Sequence, residues 1–139
     1  MKRLCHTSEP WHTQSPGTRR AIMNFIYVAI GGAIGACLRY AISLIPAKTT
    51  FPILTLITNI IGAFIIGLIV GFSIKHNTSG NLVLFLKTGL CGGFTTFSTF
   101  SLEAYTLFKD GKPGMGILYA VLSLTLCIFV VFIGEKIAG

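Results

Sequence analysis

From residue 23 onward the chain alternates four long apolar runs with three short polar connections. The runs cover roughly residues 24–45, 53–74, 82–108 and 115–133, and the connections read PAKTTFP, KHNTSGN and KDGKPG. A helix needs about 20 apolar residues to cross a hydrocarbon core, and each run meets that length. Proline, glycine and lysine in the connections are turn and interface chemistry, and Pro46 closes the first run. The pattern predicts an all-α integral membrane protein of four transmembrane helices, with no room for a soluble catalytic domain. Residues 1–22 break the pattern: they are polar, hold two prolines and show no period, and they lack the continuous apolar stretch of a signal peptide. They are expected to be a disordered extension, with residues 23–139 forming the four-helix membrane domain. Met23, which opens MNFIYVAIGG, is the expected natural start.

Composition sharpens the class. Of 139 residues, 53% are hydrophobic and 11% charged, with mean hydropathy +0.78, whereas soluble domains carry about a quarter charged residues. The net charge of +7 raises the question of nucleic acid, but the basic residues lie at run ends rather than on one face, which excludes that partner. Cys5, Cys37, Cys91 and Cys127 have no metal-site or disulfide-framework spacing and read as small hydrophobes. Four spans put both termini on one side. From Met23 on, that side carries Lys75, Lys87 and Lys136, and the other carries Arg39, Lys48, Lys109 and Lys112, three against four. So even a balance leaves orientation open between one weak bias and insertion both ways up, the second of which permits an antiparallel homodimer. Adding Lys2, Arg3, Arg19 and Arg20 makes it seven against four and biases the termini to the cytoplasm.

Small residues mark where helices approach. Gly31 and Gly35 in the first run, and Ala63, Gly67 and Gly71 in the second, form small-xxx-small rows, which Asn59 continues. The third run holds the stretch GGFTTFSTFSLE, residues 92–103, which is unusually polar for its setting. Gly89, Gly92 and Gly93 favour a break in that helix at mid-membrane depth, which would free backbone groups that only protein or water can satisfy. Thr95, Thr96, Ser98, Thr99 and Ser101 then alternate with Phe94, Phe97 and Phe100. Hydroxyls bonding back to their own helix is the plain alternative, better suited to one serine than to five hydroxyls. Phe97 and Phe100 share a face, and their positive ring edges suit an anion, although lipid packing claims most membrane phenylalanines.

The remaining polar groups inside the runs are few. They are Asn59, the Tyr119, Ser123 and Cys127 row, Arg39 and Glu103. Arg39 either snorkels from its helix end or pairs with Glu103. No nucleophile–base pair or carboxylate dyad occurs, so an enzyme is not expected. Amide, hydroxyl, guanidinium and ring edge are donors, and Glu103 is the one carboxylate in the runs, so the inventory points to a small anion.

GGFTTFSTF closely resembles the signature of the Fluc (CrcB) fluoride channel family, and GGAIGACLRY, TNIIGAFIIG and FSLE extend the resemblance over residues 23–139. The resemblance implies a subunit with a broken third helix, paired antiparallel in a dual-topology dimer with a second copy of itself, in the cell membrane. It implies two passive pores selective for fluoride over chloride, serving fluoride export. It also implies a structural sodium ion at the dimer centre, held by backbone carbonyls at the positions of Gly92 and Thr95. Asn59, Phe97, Phe100, Tyr119 and Ser123 match the family's pore residues, with the hydroxyls of Thr96, Ser98 and Thr99 beside them. Arg39 matches its vestibule arginine, and Glu103 is the accompanying polar residue. The row beyond Ser123 departs from the pattern, with Cys127 and Val131 where hydroxyls or small residues are expected. Rival readings are a four-span drug–proton antiporter, which needs a membrane carboxylate, a non-conducting assembly subunit, and one half of a heterodimeric fluoride channel.

Overall fold

The computed structural model describes residues 17–139. Six α-helices and one π-helical stretch follow in order: α1 (Thr18–Ser43), α2 (Ile53–His76), α3 (Gly80–Val83), the π stretch (Leu84–Cys91), α4 (Gly92–Phe94), α5 (Phe97–Lys109) and α6 (Pro113–Ala138). No strand occurs among the described residues. Four units are long and apolar enough to cross a membrane: α1, α2, the composite span Gly80–Lys109, and α6. The expected boundary at residue 23 is not a helix boundary, because α1 already begins at Thr18. Arg19, Arg20 and Ala21 favour helix, and the Gly17 carbonyl accepts from the Arg20 and Ala21 N–H groups. The rest of the expected extension, residues 1–16, lies outside the described residues.

The connections follow their local chemistry. Proline has no N–H to leave unsatisfied, so Pro52 precedes α2 and Pro113 opens α6 without loss. Asn77 ends α2 in the left-handed conformation (φ 48°), which asparagine tolerates, and Gly111 turns the chain between α5 and α6 at φ 71°.

Lipid tails are as apolar as leucine, so packing between spans rests on close backbone approach rather than on apolar burial. Two glycine seams provide it. Gly31 and Gly35 of α1 lie against the π stretch and α4; a Cβ on Gly31 would sit 2.5 Å from the Phe85 carbonyl oxygen and 2.9 Å from the Leu90 nitrogen. Gly67 and Gly71 of α2 meet α6, where Gly134 returns the contact against Phe64 and Leu68. Leu56, Phe100, Leu107 and Tyr119 form the small buried core between α2, α5 and α6. Large apolar side chains such as Phe25, Ile30, Ile128 and Phe129 point outward, as lipid-facing positions do.

The glycines of the third span do a different job from the expected one. Gly89 and Gly93 are contact points for α1, Gly93 against the Gly32 carbonyl, whereas nothing lies near a Cβ on Gly92. Helical geometry continues through all three and stops two residues later.

Candidate functional site

The third span bends where two threonines leave the helix. Thr95 (φ −81°, ψ 157°) and Thr96 (φ −149°, ψ 117°) are extended between α4 and α5. An extended pair inside an apolar span strands backbone polar groups, and nearby side chains take them up. Asn59 on α2 serves both polar groups of Thr96: its Oδ1 accepts from the Thr96 N–H at 2.8 Å, and its Nδ2 donates to the Thr96 carbonyl at 3.1 Å. The Thr96 hydroxyl caps α5 by accepting from the Thr99 N–H at 3.2 Å. Thr95 donates from both its N–H and its hydroxyl to the Cys91 carbonyl, each at 2.9 Å. Arg39 donates from Nε to the Gly93 carbonyl at 3.2 Å, so α1 also holds the bend.

This arrangement redirects two helical donors. In a continuous helix the Thr96 N–H would serve the Gly92 carbonyl and the Thr99 N–H the Thr95 carbonyl. Here those N–H groups go to Asn59 and to the Thr96 hydroxyl. The Gly92 and Thr95 carbonyl oxygens are thereby released from their helical partners, and the Cα of Gly92 faces open space.

The hydroxyl run divides between hydrogen bonds to its own backbone and hydroxyls clustered at the bend. Ser101 bonds back to the Phe97 carbonyl at 2.9 Å and Thr95 to Cys91, the local pattern given less weight in the sequence reading. Thr96 donates to the Thr99 hydroxyl at 3.0 Å, and Ser98 is exposed, 3.3 Å from the Thr96 hydroxyl.

A cavity of about 280 Å³ lies beside the bend, lined by Asn59, Thr95, Thr96, Phe97, Phe100, Ser123, Cys127 and Val131 among others. The Phe97 and Phe100 rings sit 5.4 Å apart. Phe100 is buried, whereas Phe97 is 72% exposed, so the cavity is open on its side. Ser123 is 6% exposed, and its buried hydroxyl has no hydrogen-bond partner among the described residues. A hydroxyl buried in such a setting normally finds one. On the far side of Thr96, a smaller space of about 60 Å³ is bounded by Arg39, Ser43, Thr55, Thr58 and Thr99. Thr96 borders both. Gly92 and Glu103 border neither.

Tyr119 belongs to the core rather than to the cavity wall. It is fully buried, edge-on to Phe51 with centroids 5.5 Å apart, and 5.0 Å from Phe100. Its hydroxyl donates to Glu103 Oε2 at 2.7 Å, and Thr55 donates to Glu103 Oε1 at 2.8 Å. An Arg39–Glu103 pair, one of the two options for Arg39, is therefore not formed: each partner is engaged elsewhere. Thr55 was missed by the sequence reading, although it lies one helical turn before Asn59 on the same face, which is the signal that could have found it. Tyr119→Phe leaves Glu103 Oε2 without its donor and is expected to cost about 1–3 kcal/mol. Thermal unfolding in detergent should show a lowered midpoint, and an unchanged one would mean that the Glu103 bridge is not stabilising.

Residues 26–135 match the family described as "CrcB-like protein, Camphor Resistance (CrcB)". A Ruminiclostridium cellulolyticum protein named fluoride-specific ion channel FluC is 44% identical over 123 residues, covering 86% of this chain and 95% of its own length. A Clostridium perfringens protein of the same name is 45% identical over 117 residues, covering 81% and 91%. One from Thermus thermophilus is 41% identical over 118 residues, covering 83% and 94%.

Proposed function

Because the chain belongs to the CrcB family of multi-pass membrane proteins, we propose that it is a fluoride-selective channel exporting fluoride passively across the cell membrane. Its relatives are named as ion channels and not as enzymes. The observation that carries the reading is the Ser123 hydroxyl, buried without a partner among the described residues, in a cavity edged by Phe97, Phe100 and the Asn59 amide. Fluoride is small and strongly hydrated, so a path for it must replace water with short donors. A hydroxyl free to donate, an amide with a second N–H and the positive edges of two rings supply them. Chloride is larger and makes poorer use of short contacts. Thr96, Ser98 and Thr99 extend the polar lining from the bend, and Arg39 gives the smaller space beyond it a positive charge.

The bend is read as a break at mid-membrane depth. The chain is read as pairing antiparallel with a second copy, which is supported by the nearly balanced charge count and by a cavity that one chain leaves open at Phe97. The Gly92 and Thr95 carbonyls, released from helical donors, are hard oxygen ligands that fit a structural sodium ion between the two copies. When bound, the ion would supply fixed positive charge; Asn59 and Arg39 hold the backbone around it whether or not it is present. A drug–proton antiporter needs a carboxylate facing its cavity, whereas Glu103 is engaged by Thr55 and Tyr119 and lies outside the lining.

The test is anion release from proteoliposomes containing the purified chain in sodium buffer, read with fluoride and chloride electrodes. Fluoride release without chloride release is the expected result and shows that one kind of subunit suffices. No release from folded, inserted protein would overturn the single-chain channel, and release on co-expression with a second subunit would then identify a heterodimer.

A further inference from the structure

Cys127 stands where the Tyr119–Ser123 row was expected to continue with a hydroxyl or small residue, and among the described residues its surroundings distinguish it from Cys37 and Cys91. It lies on α6 one turn after Ser123, and both line the cavity beside the bend. Cys91 is 2% exposed, and neither it nor the exposed Cys37 lines that cavity. Cys127 is also accompanied by an independent sign of an unmet ligand, because the Ser123 hydroxyl is more than nine-tenths buried and has no partner among the described residues.

On the channel reading of this same cavity, we propose that Cys127 and Ser123 form a binding site for a small soft cation such as Ag⁺, and that its occupation closes the ion path. Sulfur is a soft donor and selects soft metals over the hard cations of ordinary buffers. In the binding step the Cys127 S–H bond breaks, an S–Ag bond forms and the proton leaves to water, with no electron transferred. The thiolate is the ligand form, as for other metal-bound cysteines. Ser123 offers a hydroxyl lone pair from one turn away on the same helical face. The cavity of about 280 Å³ admits a bare ion, which on the channel reading arrives along the ion path itself. A cation fixed there both obstructs the passage and traps the anion that reaches it.

The probe is silver nitrate added to fluoride-loaded proteoliposomes in chloride-free sodium nitrate, since chloride would precipitate the metal. Each protein's release with silver is divided by its own release without it. The expected result is loss of release in the wild type and in Cys37→Ser and Cys91→Ser, and no silver-dependent loss in Cys127→Ser. Persistence of the loss in Cys127→Ser, or its absence in the wild type, would overturn the site. A second readout is independent of conduction: silver should protect Cys127 from mixed-disulfide formation with a small methanethiosulfonate, which releases methanesulfinate, read by peptide mass spectrometry, and should protect it less strongly in Ser123→Ala. No fluoride release without silver would count against the channel reading alone, and the protection experiment would still decide the site. Equal labelling of Cys127 with and without silver would refute it.

Discussion

Asn59→Leu is expected to abolish fluoride release and to destabilise the protein. Leucine matches asparagine in heavy-atom count and in branching at Cγ, but it offers neither a donor nor an acceptor. The Thr96 N–H and carbonyl, now bonded to the Asn59 amide at 2.8 and 3.1 Å, would both be left unpaired inside the span. Each orphaned group costs about 1–3 kcal/mol, so the pair amounts to about 2–6 kcal/mol. The bend would then relax towards a continuous helix, returning the Thr96 N–H to the Gly92 carbonyl and closing the polar wall of the cavity. Since this variant can fail by misfolding, Asn59→Asp separates the two roles. Aspartate still accepts from the Thr96 N–H but sets a carboxylate oxygen against the Thr96 carbonyl, and it places a negative charge at the cavity. Detergent-purified Asn59→Asp should remain monodisperse on size exclusion and still release no fluoride from proteoliposomes. Release at the wild-type rate would show that the Asn59 amide N–H groups are not part of the path.

The second large effect is expected at Gly35. Gly35→Val should yield little or no folded protein. A Cβ there would run into the Leu90 carbonyl oxygen and stand 2.7 Å from the Phe94 nitrogen, so both obstacles are backbone and neither can swing aside. Relief requires α1 to move off the third span, which opens the Gly31 contacts as well and pulls Arg39 from the Gly93 carbonyl. Overpacking of a tight contact costs about 1–3 kcal/mol even where side chains can adjust, and here backbone must move, so the loss should exceed that range. Gly114→Ala is the control: nothing lies near its Cβ, and alanine is the better helix former. Size-exclusion yield and thermal midpoint should fall for Gly35→Val and hold or rise for Gly114→Ala. Normal yield of Gly35→Val would mean that α1 and the third span are not in backbone contact.

The four spans were legible because the bilayer imposes a length and a composition that the chain must meet residue by residue. The α2 seam was legible for a similar reason, since Ala63, Gly67 and Gly71 recur at a spacing that only a helix face uses. The bend falls just past the glycines that favoured it. Gly89, Gly92 and Gly93 point to flexible backbone, but glycine permits two outcomes, a departure from helix or a close neighbour, and sequence spacing does not separate them. Gly89 and Gly93 took the second outcome because α1 brings Gly31 and Gly32 against them. The helix leaves its path at Thr95 and Thr96 instead, where Asn59 is present to receive the stranded groups.

The candidate site divides the same way. Residue type placed Asn59, Phe97, Phe100 and Ser123 in one list, and folding brought all four to one cavity. Type could not tell that Tyr119 would face Glu103 and Thr55 rather than the cavity, because hydroxyl chemistry is the same towards a carboxylate and towards an ion. The sequence by itself determined what must be true of each span alone: its length, its apolar surface, its small-residue faces and the kinds of donor it carries. The tertiary structure alone decided which donors are already spent on other protein groups and which, like the Ser123 hydroxyl, have no partner among the described residues. That follows from the range of the forces, because hydrocarbon acts on every residue separately, whereas a hydrogen bond between Asn59 and Thr96 exists only once two distant spans lie side by side.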